Sequence, residues 1–471
     1  MGDIKVWFGS KSLFQRACPV PGLLVLFMLL AILFSGCGPL AKEKIRDLQS
    51  LPQDPGYFAA SAAQNKTLVD AGEQRQRFAE FRRKWFAPWH TSGNMHSPEK
   101  IYWGVDMLLK KAFFGENKQS HSREWKENLI RNSAPDSFPS LDLPGIILRT
   151  SSLRVLPTQK PAFRDFSRAG EGYPFDYMQN SAIWAGTPVR IRHVSRDGAW
   201  LLVETDWVYG WIRCFQVGMV DGEFIRAFEK KELGAVVRDR FPVRDNGGDF
   251  LFFARVGMLL PVEKRDGRGF FCLAPAPGLN GHARLRTVFL ADRDLSMAPL
   301  DLTPANMADV SGRMIKEPYG WGGMYGNRDC SALMRDIFIP FGIWLPRNSS
   351  RQAESGRIIS LEDLSRREKK AAIREFGVPF ATLLHMPGHV GLYLGTYNGE
   401  PLLLHNMWGV KTKGLFGNEG RHVVGKTVIT TLEPGAGLSD VDESGLLINR
   451  ISGMNILIPE KGANHGKNWT E

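Results

Sequence analysis

Three residues in the last third of the chain have the types and settings for nucleophilic acyl chemistry: Cys330, His389 and His405. Cys330 stands in the run Asp329-Cys330-Ser331, after a glycine-rich, aromatic approach, YGWGG. It precedes Leu333, Met334, Ile337 and Phe338, whose three- and four-residue spacing predicts a helix that Pro340 stops. A cysteine at a helix N-terminus meets the positive end of the dipole and unpaired N–H groups, which favour thiolate over thiol. The same N–H groups can hold a developing oxyanion. A buried cysteine that merely caps a helix fits the residue types as well, so a base has to be found.

GHVGLYLG, residues 388–395, alternates strictly and predicts a strand with Val390, Leu392 and Leu394 on one face. His389, Gly391 and Tyr393 take the other face, where the glycine leaves room beside the histidine. A turn at Asn398-Gly399 then leads into PLLLHNMWG and puts His405 on the neighbouring strand. His389 can accept the thiol proton and His405 can orient its ring. A two-residue hairpin loop would pair His405 with Leu392, on the wrong face. A working pair therefore requires a three-residue loop or a bulge. Two ordinary strand histidines are the alternative. His385 precedes His389 by four residues without a companion cluster of carboxylates or cysteines, so no metal site and no cofactor are expected.

The elements that must position these residues change character along the chain. Residues 37–145 are rich in charge and helix formers, and AGEQRQRFAEFRRKWF predicts a helix ending at Pro88. Trp85, Phe86, Trp89 and Trp103 form an aromatic set that must pack on something. Residues 146–222 and 223–295 each show short strands around an Arg-Asp-Gly turn, at Arg196-Asp197-Gly198 and Arg265-Asp266-Gly267, a degenerate tandem repeat with the spacing of small β-barrels. Residues 296–471 mix the Cys330 helix with later strands, and the fold class is α+β.

In combination, YGWGG, DCSAL, LPRNSSRQ and GHVGLYLG followed by LLHNMWG resemble the NlpC/P60 cell-wall cysteine peptidases, papain-like enzymes that cleave peptidoglycan stem peptides. The resemblance implies that Cys330 is the nucleophile, His389 the base and His405 the third polar residue. It implies further that Asp329, Ser331 and Ser349 line the pocket with Tyr319 beside it. DCSAL stands where many members have DCSGL. The stretch from PFDYMQN to GWI is similar to bacterial SH3 domains that precede this catalytic domain, and FAPWH is similar to an N-terminal stabilising region. The implied architecture is a helical region, two SH3-like barrels and the peptidase domain. The implied reaction is hydrolysis of the γ-D-glutamyl–diamino-acid bond of a stem peptide with a free N-terminal L-alanine. Asp329 would then meet the substrate ammonium, with Asp176 or Tyr177 contributing from the first barrel. An amidase or acyltransferase on the same fold stays open, as does a wall-binding protein with a degenerate catalytic domain.

At 471 residues the chain exceeds one core, and roughly 100–200 residues per domain gives three or four. Hydrophobic content of 43% and charge of 23% exclude a wholly disordered chain, and 49 glycines with 28 prolines suit short strands and turns. Lys5, Lys11 and Arg16 precede an apolar run from Leu23 to Phe34 and then Ser35-Gly36-Cys37. That run is shorter than the roughly 20 residues a spanning helix needs and fits a signal peptide, residues 1–36. Small residues running into Cys37 resemble a bacterial lipobox, which implies acylation there and a lipid-anchored protein of the cell envelope. In a host with two membranes, Gly38 in place of aspartate implies the outer membrane, facing the periplasm.

The net charge of +11 suits anionic envelope material. No lysine–arginine cluster interleaved with aromatics points to nucleic acid, and a monomer is expected. Of the five cysteines, Cys18 lies in the signal. Cys214 and Cys272 sit in apolar, strand-like runs and are expected to be buried and inert, which leaves Cys330 as the thiol expected to alkylate first.

Overall fold

The computed structural model describes residues 43–60, 65–414 and 417–458. Cys18, Cys37 and the predicted signal lie outside the described residues. Among those described, no helix is long and apolar enough to cross a membrane.

The N-terminal segment folds as helices, of which three matter here: α1 (Ala71–His90), α2 (Trp103–Lys110) and α3 (Arg123–Asn132). Asp70 caps α1 by accepting the Glu73 N–H at 2.9 Å. Phe78, Phe81, Trp85 and Trp89 recur every three or four residues along it and form its buried stripe. The helix does not end at Pro88 as expected but continues to His90. In the last turn proline forfeits a single backbone hydrogen bond, and the Thr91 N–H still closes on Ala87 O at 2.9 Å. The α1 stripe shares one hydrophobic cluster with Ile146 of the first barrel, Phe228 of the following linker, Leu259 of the second barrel and Ile339 of the last domain. One helix thereby locks all later segments together. Trp103 departs from the expected aromatic set: it is 39% exposed, at the start of α2.

The first barrel is an antiparallel sheet of β1 (Leu143–Ile147), β2 (Ser151–Arg154), β3 (Gln179–Ile183), β4 (Pro188–Val194), β5 (Trp200–Glu204), β6 (Tyr209–Arg213) and β7 (Val217–Met219). Its strand order is β3-β2-β6-β5-β4-β1-β7. The second barrel contains β8 (Leu233–Val236), β9 (Pro242–Arg244), β10 (Phe250–Phe253), β11 (Leu259–Asp266), β12 (Gly269–Pro277), β13 (Ala283–Ala291) and β14 (Leu295–Met297). There β13-β12-β11-β8-β14 form one sheet and β10-β9 a second.

The last domain packs α4 (Cys330–Phe338) against a six-stranded antiparallel sheet. Its strands are β15 (Arg357–Ser360), β16 (Thr382–Met386), β17 (His389–Tyr397), β18 (Glu400–Lys413), β19 (Glu419–Thr430) and β20 (Gly453–Ile456), in the order β15-β20-β16-β17-β18-β19. A short helix, α5 (Leu447–Arg450), precedes β20. Leu333, Met334, Ile337 and Phe338 of α4 meet Val390, Leu392, Leu394 and Leu404 in one core, so the predicted apolar faces of helix and strand face each other. Arg328, fully buried, pairs with Asp239 of the second barrel and with Asp336 of α4 at 2.6 Å, which ties that barrel to the segment carrying Cys330. Breaking such a buried pair leaves an uncompensated charge.

Candidate active site

The glycines of YGWGG let the first barrel reach Cys330. Gly322 and Gly323 have φ of +56° and +85°, and a Cβ on Gly323 would lie 2.1 Å from the Ala182 nitrogen of β3. Gln179 donates to Gly322 O at 3.0 Å across the same contact. Phe175 and Tyr177 of the PFDY motif pack about Trp321, with ring centroids 5.1 and 6.3 Å away. Asp176, between them, turns the other way. It accepts from Arg154 at 2.7 Å and from the Ala162 and Met178 N–H groups at 2.9 and 2.8 Å. Tyr177 therefore lines the cavity beside Cys330, whereas Asp176 is absorbed by Arg154 and is corrected to a structural role.

Asp329 caps α4 by accepting the Ala332 N–H at 2.9 Å, which leaves Cys330 on the first turn. Arg347 clasps the same carboxylate through two nitrogens, at 3.0 and 2.8 Å, and Ser331 Oγ and the Gly322 N–H add 3.1 Å contacts. Burial alone would raise the Asp329 carboxyl; the Arg347 charge and these hydrogen bonds outweigh it and hold the group below the usual carboxylate range. With five donors on two oxygens, Asp329 has no lone pair left for a substrate ammonium, which corrects that expectation. Arg347, from LPRNSSRQ, is a pocket residue that sequence reasoning passed over; its signal was an arginine inside a motif otherwise read for its serines.

A bulge at Leu394 supplies the register the histidines need. Tyr397 pairs with Glu400 around the two-residue turn, the register shifts between Tyr393 and Gly395, and Leu392 then pairs with Leu404 rather than with His405. His389 and His405 consequently share a face, and His389 Nε2 lies 2.8 Å from His405 Nδ1. Gly391 stands between them: a Cβ there would come within 3.0 Å of the His405 Cβ.

The chain of hydrogen bonds fixes both tautomers. Thr430 Oγ1 donates to Thr431 O at 2.7 Å, so at 3.1 Å it accepts from His405 Nε2–H. His405 Nδ1 then accepts from His389 Nε2–H, which leaves the lone pair of His389 on Nδ1. Thr430, on β19, is a further member of the site that no local pattern in the sequence announced. The backbone N–H of Val390, the residue after His389, lies close enough to favour the Cys330 thiolate, and the two residues share one core, so the base-bearing strand end adjoins the nucleophile.

The thiol is not a resting thiolate. Cys330 is 7% exposed, and burial, followed by the Asp329 charge, pushes it up to about 12 against the pull of the Val390 N–H and Arg347. The helix start does not overcome that burial. The expected order of alkylation changes accordingly: Cys214 is exposed on a turn after β6, not buried, and is the more accessible thiol. Cys272 is fully buried, with its thiol also pushed up to about 12, mainly by burial. Burial, then the charge of Arg450, lowers His389 to about 4, and burial, then His389, lowers His405 well below its ordinary value. Thiol and both imidazoles are neutral at rest.

These residues sit between two cavities. One, of about 670 Å³, is lined by Cys330, Ser331, Ser349, Arg347, Tyr177 and the α2 residues Trp103 and Asp106. The other, of about 410 Å³, is lined by His389, Trp408 and Arg450, and Tyr319, Trp321 and Gly388 line both. The Tyr319 hydroxyl is raised well above its ordinary value by burial, then by the charges of Cys330 and Asp329, and stays a proton donor. Among the described residues, no cluster of three or more histidine, cysteine or carboxylate side chains has the makings of a metal site.

Known proteins share this construction. Residues 316–418 match the model of the NlpC/P60 family, residues 26–138 that of the N-terminal NlpC/P60 stabilising domain, and residues 161–213 and 221–266 those of SH3 domains of the SH3b1 and SH3b2 types. An NlpC/P60 endopeptidase from Photobacterium damselae subsp. piscicida superposes with a TM-score of 0.79 at 28% identity, over 87% of this chain and 98% of that one. A γ-D-glutamyl-L-lysine dipeptidyl-peptidase of Bacillus subtilis is 30% identical over 122 residues, which is 25% of this chain and 39% of that relative's length. Residues 316–418 thus form an NlpC/P60 domain, standing behind an NlpC/P60 stabilising domain and SH3 domains of both types.

Proposed function

We propose that the protein hydrolyses the γ-D-glutamyl–diaminopimelate bond of peptidoglycan stem peptides and prefers those with a free N-terminal L-alanine. The observation that carries this reading is the hydrogen-bonded series Thr430, His405, His389, ending one residue before Val390, which packs with Cys330 of the helix start in one core. With thiol and imidazole both neutral, the proton leaves sulfur for His389 Nδ1 as sulfur bonds the γ-carbonyl carbon. The Ser331 N–H at the start of α4 and the Tyr319 hydroxyl are donors available to the oxyanion. His389 then returns the proton to the leaving amine as the C–N bond breaks, and water hydrolyses the thioester.

The cavity beside Cys330 is walled by α2 and the first barrel and suits the acyl dipeptide; the cavity beside His389 suits the leaving amine. The Bacillus relative is named for a γ-D-glutamyl-L-lysine bond, and lysine and diaminopimelate present the same α-amine to it. Digesting L-Ala-γ-D-Glu-diaminopimelate and weighing the products by mass spectrometry tests the reading: L-Ala-D-Glu and free diaminopimelate are expected, and an intact γ-bond contradicts it.

The rate should hold to low pH. Because His389 acts as the unprotonated base and its titration is lowered to about 4, kcat/KM is expected to stay level from roughly pH 5 to 8 and to fall only as pH drops through about 4. A stopped assay across that range checks this; an acid limb near 6.5, the ordinary histidine value, contradicts a buried neutral base.

The same proposal has the chain act from a lipid anchor at Cys37, in the outer membrane facing the periplasm in a host with two membranes, as a monomer. The lipobox-like Leu33–Cys37 segment supports the anchor. Wild-type protein from its host should enter the detergent phase and Cys37→Ser should not; a Cys37→Ser chain that still enters it removes the anchor from the account.

A further inference from the structure

The cavity beside His389 holds more positive charge than its walls balance. Lys411, Arg421 and Arg450 line it, and among its described lining residues Glu419 is the sole carboxylate. Two of the three cations are held: Arg421 by Glu419 at 2.8 Å, and Lys411 by Asp442 at 2.9 Å and Glu419 at 3.6 Å. Arg450 makes no ion pair among the described residues. Its Nη2 donates instead to the carbonyl of Pro387 at 2.6 Å.

That one bond fixes where the free guanidinium stands. Pro387 and Gly388 form the two-residue turn between Met386 of β16 and His389 of β17, so Arg450 is tethered to the turn that carries the base. It is close enough for its charge to depress the titration of His389. Only Gly388 separates the tether point from His389 along the chain.

We infer that Arg450 is a specificity residue that binds the carboxylate on the carbon bearing the scissile nitrogen, so that the preferred substrate ends in a diamino acid whose α-carboxyl is free. The inference rests on the γ-glutamyl reading above and specifies its amine side. His389 must reach the leaving nitrogen to protonate it, and the carbon on that nitrogen therefore lies beside the turn at Pro387. A carboxylate on that carbon meets a planar donor fork that no carboxylate among the described residues occupies. A stem peptide continued through the same carboxyl presents a neutral amide there instead. It leaves the guanidinium without its anion, and the terminal carboxylate lies a residue further out. The peptides this site favours are thus ones that a carboxypeptidase-class reaction has already trimmed to the diamino acid.

Two peptides and three proteins decide it. The peptides are L-Ala-γ-D-Glu-diaminopimelate and the same compound with the carboxyl next to the scissile nitrogen converted to a carboxamide. The proteins are wild type, Arg450→Gln and Arg450→Lys, each checked for an unchanged melting transition. Wild type is expected to favour the carboxylate by about 10- to 100-fold in kcat/KM, the range for a charge-assisted hydrogen bond. In Arg450→Gln the ratio should fall to near one, chiefly through KM, and Arg450→Lys should retain part of it because charge survives without the fork. A merely structural role for Arg450 would lower both rates and leave the ratio alone, and that outcome overturns the inference, as does a wild-type ratio near one. Cleavage of both peptides without discrimination overturns this inference alone, whereas cleavage of neither overturns the γ-glutamyl reading and this inference with it.

Discussion

Cys330→Ala is expected to fold like the wild type and to lose peptide hydrolysis by at least about 10³-fold, since removing a nucleophile removes its covalent route altogether. The side chain is small and sits at the first turn of α4, at the start of a core to which Leu333, Met334, Ile337 and Phe338 contribute far more apolar surface. Deleting it should alter stability by only about 1 kcal/mol. Circular dichroism melts and a product assay on the same preparation separate the two effects. Cys330→Ser tests a subtler point. A neutral thiol already at about 12 and an imidazole at about 4 leave a proton transfer that only sulfur's nucleophilicity rescues, so the less acidic and less nucleophilic hydroxyl should be nearly as inactive as alanine. Substantial activity in Cys330→Ala would end the mechanism.

The second large effect concerns the amino end of the substrate. L-Ala-γ-D-Glu-diaminopimelate is expected to be cleaved with a kcat/KM at least about 30-fold above that of the same peptide acetylated on its alanine or joined there to muramic acid, because the added group has to enter the walled end of the cavity. The acyl-side cavity ends on α2 and the first barrel, through Trp103, Asp106 and Tyr177, where a glycan-linked stem has to continue. The carboxylate facing that end is Asp106. Its exposed pairing with Lys110, at 3.2 Å, is the kind of surface bond a substrate ammonium can exchange, unlike Asp329 and Asp176, each held by a buried arginine. Equal rates on free and glycan-linked stems would mean that both fit, and would make intact wall the substrate.

The legibility of this site in the sequence follows the range of the interactions involved. Cys330 and the two histidines were readable because each is set by local pattern: a helix start with its apolar stripe, and a strictly alternating strand beside a turn. The register problem was readable too, but not its solution, since a bulge at Leu394 depends on how β17 and β18 pack rather than on either strand alone. The partners were not readable. Asp176 invited an active-site role by its motif, yet Arg154, 22 residues earlier, takes it. Arg347, Thr430 and Arg450 come from separate segments that only the fold brings to Asp329, His405 and the turn before His389. Thiol activation by the helix start misled because a dipole effect of about 1 kcal/mol is smaller than the penalty for burying a thiolate. The prolongation of α1 through Pro88 is a case of tertiary override, with Trp89 anchored by its Nε1–H bond to Gly145 O at 2.7 Å.

The central claim is that Cys330 receives the L-Ala-γ-D-glutamyl group, and an affinity label built on that group tests it most directly. The wild-type protein should be treated with L-Ala-γ-D-Glu carrying a chloromethyl ketone in place of the scissile amide, then digested and mapped by mass spectrometry. One adduct per chain is expected, on the peptide containing Cys330, in step with the loss of activity and slowed by excess tripeptide. The exposed Cys214 should react only at the background rate that iodoacetamide shows with it. Inactivation with Cys330 unmodified, or full labelling of Cys330 with activity intact, would contradict the account.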